Sequence, residues 1–157
     1  MNEGDFEVYS YGGKGDNKFK ALSNEWAGVD YFFDDKNNEW VIQEIESKKQ
    51  GEGKKVIKEF TNRIGKDQKV KVIAIIEPDS RQRLEDLGIL DFVEKNKQAV
   101  EITTPGVFKS FKMTRLLSGG GLNVDKIVVS PAGPEIKEDL EIDLKYQKVS
   151  IEINCHT

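Results

Sequence analysis

Residues 39–60 decide the fold: Glu39-Trp-Val-Ile-Gln-Glu-Ile-Glu-Ser-Lys-Lys-Gln-Gly-Glu-Gly-Lys-Lys-Val-Ile-Lys-Glu-Phe60. The first part, Glu39–Glu46, is a β-prone run, and Lys48–Gly53 is a turn rich in lysine and glycine. The apolar positions Val56, Ile57, Phe60 and Ile64 then fall on one helical face, with Gly65 suited to the C-terminal cap. A glycine loop between a strand and a helix lets backbone N–H groups converge on an anion, and the helix N-terminus adds roughly half a positive charge. Lys48, Lys49, Lys54 and Lys55 give the loop cationic charge for more than one phosphate. No Gly-Lys-Ser/Thr follows, so it is not a Walker A loop; a Gly-x-Gly-x-x-Gly begun at Gly51 would need its third glycine where Val56 stands, so it is not a dinucleotide fingerprint either.

Upstream, Val29–Phe33 and the Glu39 run flank Asp34-Asp35-Lys36-Asn37-Asn38, a hairpin turn by composition. Calcium does not fit this turn, because positions six and twelve of an EF-hand loop counted from Asp34 are Glu39 and Ile45. Residues 5–11 alternate like a half-buried strand, and Phe19, Leu22 and Trp26 recur at helical spacing after Asp16 and Asn17, predicting a short helix closed by Gly28. Downstream, Val70–Ile76 reads as a strand covered on both faces, and Pro78-Asp79-Ser80 opens a helix with Leu84 and Leu87 before Gly88. Ile89–Glu94, Ala99–Thr103 and Val107–Leu117 are expected as strands, with Pro105-Gly106 as a turn. Gly119-Gly120-Gly121 reads as a hinge, and residues 126–130, 140–146 and 148–153 as strands of an appended hairpin or small sheet.

The 157 residues fit one domain with an appendage, and the charge of −4 is unevenly spread. Residues 1–46 hold 4 basic and 11 acidic side chains, whereas residues 48–71 hold 9 basic and 3 acidic, so positive charge is focused at the glycine loop and its helix. No apolar run is long enough for a membrane span, and the acidic start is unlike a signal peptide, so a cytoplasmic location is expected. The single cysteine, Cys155, and single histidine, His156, exclude an internal disulfide, a multi-ligand Cys/His zinc site and a triad with an internal histidine; both are expected in a frayed tail. The acidic net charge and the lack of interleaved aromatics disfavour nucleic acid as the main partner.

The stretch Ile45–Phe60 resembles the acetyl-CoA-binding motif of the GNAT acetyltransferase superfamily, Arg/Gln-x-x-Gly-x-Gly/Ala before a helix, with Lys48, Gly51 and Gly53 filling it. Glu77-Pro-Asp-Ser-Arg-Gln-Arg-Leu-Glu-Asp-Leu-Gly-Ile89 is similar to the family's Asn-Pro-x-Ser-x-x-x-Tyr-Glu-x-Leu-Gly-Phe, and Phe108–Leu117 is similar to its closing strand. The resemblance spans about residues 40–117. It implies an α/β (α+β) fold, with a mixed, mostly antiparallel central sheet flanked by helices and two strands splayed around the cofactor. That domain would cover residues 1–117, followed by a Gly-hinged C-terminal β extension, 118–157.

The function implied is transfer of an acetyl or acyl group from acetyl-CoA, as co-substrate, to an amine acceptor by direct attack. The resemblance assigns cofactor binding to Ile45, Ser47, Lys48, Lys49, Gln50, Gly51, Glu52, Gly53 and Lys54, and the general base to Glu44 or Glu46, with a backbone N–H of that strand on the oxyanion. The position of the family's acid tyrosine holds Leu84 and that of its asparagine Glu77, so either the thiolate, fairly stable near neutral pH, leaves without a strong acid or Tyr31 or another tyrosine takes the acid's place. An alternative is a GNAT-like module that has lost catalysis and binds acyl-CoA or a protein; a further one is an effector domain cut from a longer chain. No metal is implied, the acceptor is open, and the last forty residues are free to pair with a second subunit as a homodimer, extend the sheet or cover the acceptor cleft.

Overall fold

The computed structural model describes residues 5–11, 18–74, 78–131 and 149–157. Among the described residues, eight strands form one sheet in the order β1-β2-β3-β4-β5-β8-β7-β6, and five helices accompany it. The strands are β1 Glu7–Tyr11, β2 Phe19–Ser23, β3 Ala27–Asp34, β4 Glu39–Ser47, β5 Lys69–Ala74, β6 Val100–Ile102, β7 Asn123–Pro131 and β8 Val149–His156. The helices are α1 Glu52–Ile64, α2 Pro78–Asp86, α3 Ile89–Asn96, α4 Pro105–Phe108 and α5 Lys112–Gly119. Every neighbouring pair is antiparallel except β4–β5, which the crossover helix α1 joins in parallel. The fold is therefore mixed α/β with a mostly antiparallel sheet. No helix among the described residues is long and apolar enough to cross a membrane.

The central hairpin forms for the reason its sequence suggests. Asp34 Oδ1 accepts the Lys36 and Asn37 backbone N–H groups at 3.0 and 3.4 Å, Asn37 Nδ2 donates to Asp34 Oδ2 at 2.7 Å, and Asn38 takes a positive φ of 52°. The Asn37 side-chain bond, together with the backbone donors, holds the Asp34 carboxyl below the usual carboxylate range. Behind the hairpin, Phe60 of α1 meets Tyr31 and Trp40 edge-on at centroid distances of 5.0 and 6.1 Å. Leu22, Val29, Ile42, Val70, Val72, Ile153 and Cys155 share that covered face by register and are all buried. The opposite face presents Asp30, Phe32, Glu44, Glu46, Lys71, Ile73, Glu152 and Asn154.

Four sequence expectations are corrected here. Residues 19–26 are not a helix: Phe19 lies on the opposite face against Phe32, Leu22 points into the core, and Trp26 sits in a turn. Asn24 Oδ1 ties that turn by accepting the Trp26 and Ala27 N–H groups at 2.8 and 2.9 Å. Ile89–Glu94 is helical because Gly88, at φ 74°, ends one helix and starts the next, with Leu90 and Val93 inward at a three-residue spacing. Val107–Leu117 is not the expected closing strand. Pro105 opens α4, and Phe108, Phe111, Thr114 and Leu117 are buried every third residue; Thr114 Oγ1 donates to the Phe111 carbonyl at 2.8 Å and to that of Phe108. Val70–Ile73 is covered on one face only, since Ile73 is 45% exposed; Ile75 and Ile76 lie outside the described residues.

The described parts of the last forty residues include two strands of the sheet, β7 and β8. β8 runs between β5 and β7, and the boundary drawn at 117/118 falls inside α5. The strand expected at 140–146 lies outside the described residues. Cys155 and His156 belong to β8 rather than to a frayed end: His156 Nδ1 approaches Asp125 at 2.8 Å, and burial pushes the Cys155 thiol up to about 12. A folded-state value raised above the ordinary 9.0 means that this thiol's contribution to stability is full below pH 9.0 and is lost as pH rises through about 12. At pH 8 the native thiol should also react with a disulfide reagent roughly a thousandfold more slowly than the unfolded one. Fast native labelling, followed by absorbance, would contradict the burial.

Candidate functional site

Two features converge at the end of β4. The first is the glycine loop. Lys48 N–H donates to the Trp26 carbonyl at 2.7 Å and Ser47 Oγ to the Lys49 carbonyl at 2.9 Å, which fixes the path of the chain out of the strand. Gly51 then turns left-handed (φ 87°) and caps α1 without any side-chain hydrogen bond, so the first-turn N–H groups lack a side-chain acceptor. An anion satisfies such donors and the helix dipole together. Ile45, Ser47, Lys48, Lys49, Gln50, Gly51, Gly53 and Lys54 line one cleft of about 830 Å³. Glu52 does not join them: its side chain is buried and accepts from Lys55 Nζ at 2.9 Å.

The opposite wall of this cleft is α5, through Lys112, Met113, Arg115 and Leu116. Sequence reasoning missed these four, because a strand over Val107–Leu117 would have aimed alternate side chains to opposite faces. The buried positions at 108, 111, 114 and 117 carry the helical period and were the available signal.

The second feature is the parting of β4 and β5. Among the described residues their pairing covers Trp40–Val70, Val41–Lys71 and Ile42–Val72, while β4 continues to Ser47 and β5 turns its other edge to β8. Among the described residues the β5-side edge of β4 has no strand partner beyond Ile42, which leaves backbone groups there that an extended ligand could meet. At the same point the β3–β4 register shifts: Asp30 faces Glu44 and Tyr31 faces Ile42, which leaves Gln43 as an extra residue. This bulge determines where the acids lie. Without it, alternation from Ile42 would turn Glu44 and Glu46 toward the helices; with it, they lie on the opposite face, and Ile45 and Ser47 face the cleft.

Glu44 and Glu46 are exposed and share their face with Asp30, whose carboxyl is raised by partial burial and then by the charge of Glu46. The base candidates and the residues lining the loop cleft thus occupy opposite faces of β4. A thioester whose phosphates rest at the loop reaches the carboxylates only by crossing from one face to the other. The position of the family's acid tyrosine is closed, since Leu84 is 1% exposed, and the candidate Tyr31 is buried between Trp40 and Phe60, its hydroxyl raised by burial against a smaller lowering by Arg63.

No protein-family model matches the chain, and comparison with curated proteins and with solved structures finds no match.

Proposed function

We propose that this protein is an acyl-CoA-dependent N-acyltransferase of the GNAT type, with the glycine loop on the cofactor diphosphate and Glu44 or Glu46 as base. The observation that carries the reading is the parting of the parallel β4–β5 pair directly below an uncapped, lysine-flanked helix N-terminus. The mixed, mostly antiparallel sheet fits the architecture that the resemblance implies. In the reaction, the acceptor nitrogen forms a bond to the acyl carbon, the C–S bond breaks, the amine proton passes to the carboxylate and the thiolate leaves, taking its proton from water. A backbone N–H at the free edge of β4 stabilises the oxyanion.

The test is calorimetric and thermal-shift titration with acetyl-CoA, CoA and ATP side by side. A ligand at about 100 times its Kd stabilises by roughly 2.7 kcal/mol, and the two CoA species should do so while ATP does not. With an amine acceptor found by screening, Glu44→Gln or Glu46→Gln should lower kcat by about 100-fold or more and leave acetyl-CoA affinity unchanged. Full turnover in both variants would remove the base assignment, and absence of any CoA binding would remove the reading itself. The burial of Leu84 favours one second reading, a module that binds CoA without transferring its acyl group; it predicts saturable binding and no thiol release with any amine.

A further inference from the structure

We propose that the cleft recognises a third phosphate, the 3′-phosphomonoester of CoA, through Lys112 and Arg115 of α5; the inference rests on the acyl-CoA reading. Five cations line the cleft: Lys48, Lys49 and Lys54 from the loop side, and Lys112 and Arg115 from α5. Among the described residues no carboxylate lines it and none of the five is ion-paired. In a chain of net charge −4 this is a local concentration of positive charge rather than a general property of the surface.

The charge exceeds what a diphosphate needs. A diphosphate diester carries about two negative charges, which the three lysines of the loop side and the N-terminus of α1 already balance, whereas a phosphomonoester adds roughly 1.5 to 2 more at neutral pH. The second wall supplies the matching groups. Lys112 and Arg115 are three residues apart, and both are exposed on the helix side that faces Gly53. Arg115 Nη1 donates to the Lys109 carbonyl at 2.9 Å, which steadies the guanidinium and leaves its remaining donors for a planar, two-pronged grip on phosphate. Lys49 is partly committed elsewhere, its ammonium lying 5.0 Å from the centre of the Trp26 ring, so the extra charge must come largely from α5.

The experiment compares CoA with 3′-dephospho-CoA by calorimetry, using the full chain and the Lys112→Ala, Arg115→Ala and double variants. Wild type should bind CoA about tenfold or more tightly than dephospho-CoA, and the difference should shrink as salt is raised. In the double variant CoA affinity should fall to that of dephospho-CoA, which itself stays unchanged. Both side chains are exposed, and unchanged melting temperatures will show that the variants fold. Equal affinity of wild type for the two ligands, or equal loss of both in the double variant, overturns this inference while sparing the acyl-CoA reading. Binding of neither ligand to wild type overturns both.

Discussion

Replacing Gly120 with valine should destabilise the protein by about 3 kcal/mol or more, the upper range of overpacking penalties. A β-carbon built at Gly120 lies 2.4 Å from Ile57 Cγ2, 2.5 Å from Ile57 Cβ and 3.2 Å from the Lys54 carbonyl oxygen. Ile57 is fully buried in the middle of α1, and its Cβ is fixed to the helix backbone, so it cannot step aside. The backbone at Gly120 (φ −90°) would accept any residue, so the effect is one of space. Chemical denaturation should show it as a lower midpoint, and thermal melting as a loss of roughly 10 °C. Gly119 is the control: its added carbon meets the end of the flexible Lys54 side chain at 2.9 Å, which swings away, so Gly119→Ala should be nearly neutral. Ile57→Ala leaves the β-carbon 2.5 Å from the added one and relieves only part of the clash, so Ile57→Gly is the partner variant, and combined with Gly120→Ala it should cost less than the sum of the two singles. Additivity within about 0.5 kcal/mol would mean that the α1–α5 contact is not where the strain arises.

The same glycines show where sequence reading stops. Residues 39–65 were legible because each signal is local: β-prone residues, then lysines and glycines, then four apolar positions at helical spacing and a glycine cap. The Asp34–Asn38 turn was legible for a similar reason, since its side chains bond their own backbone. Gly119-Gly120-Gly121 reads as a hinge when only local freedom is weighed, yet Gly120 is required by a contact with a residue 63 positions earlier. Short apolar runs misled in both directions. Phe19, Leu22 and Trp26 fit a helical period by accident and occupy three different environments, while Ile89–Glu94 and Val107–Leu117 are helices whose buried positions recur every third residue. The Gln43 bulge has no sequence signature, because it exists only in the register between two strands, yet it turns Glu44 and Glu46 away from the helices. For the candidate site, the loop half was therefore readable and the α5 half was not, since the second wall depends on how a misread segment folds back on α1.

On the acyl-CoA reading, Gly53→Val should abolish measurable CoA binding, an affinity loss of more than about 100-fold, at a smaller stability cost than Gly120→Val, because the side chain it crowds, Leu116, can give way at its tip. Gly53 is the second residue of α1 and lines the cleft; a β-carbon there would sit 3.1 Å from Leu116 Cδ1 and 3.5 Å from Ser47 Cβ. Valine is tolerated by the helix, and in helix propensity it is slightly better than glycine. Its branches, however, must enter the space between the loop and α5, where the diphosphate would approach the first-turn N–H groups. Gly51→Val separates this from backbone strain. Nothing lies within 4 Å of a β-carbon at Gly51, but its φ of 87° is hostile to a branched residue, so stability should fall by roughly 1–2 kcal/mol. If Gly53→Val merely displaced Leu116, adding Leu116→Ala would restore binding; if the valine occupies the place of the phosphate, the double variant folds and still fails to bind. CoA affinity of Gly53→Val within about threefold of wild type would show that the phosphates do not rest on this helix end at all.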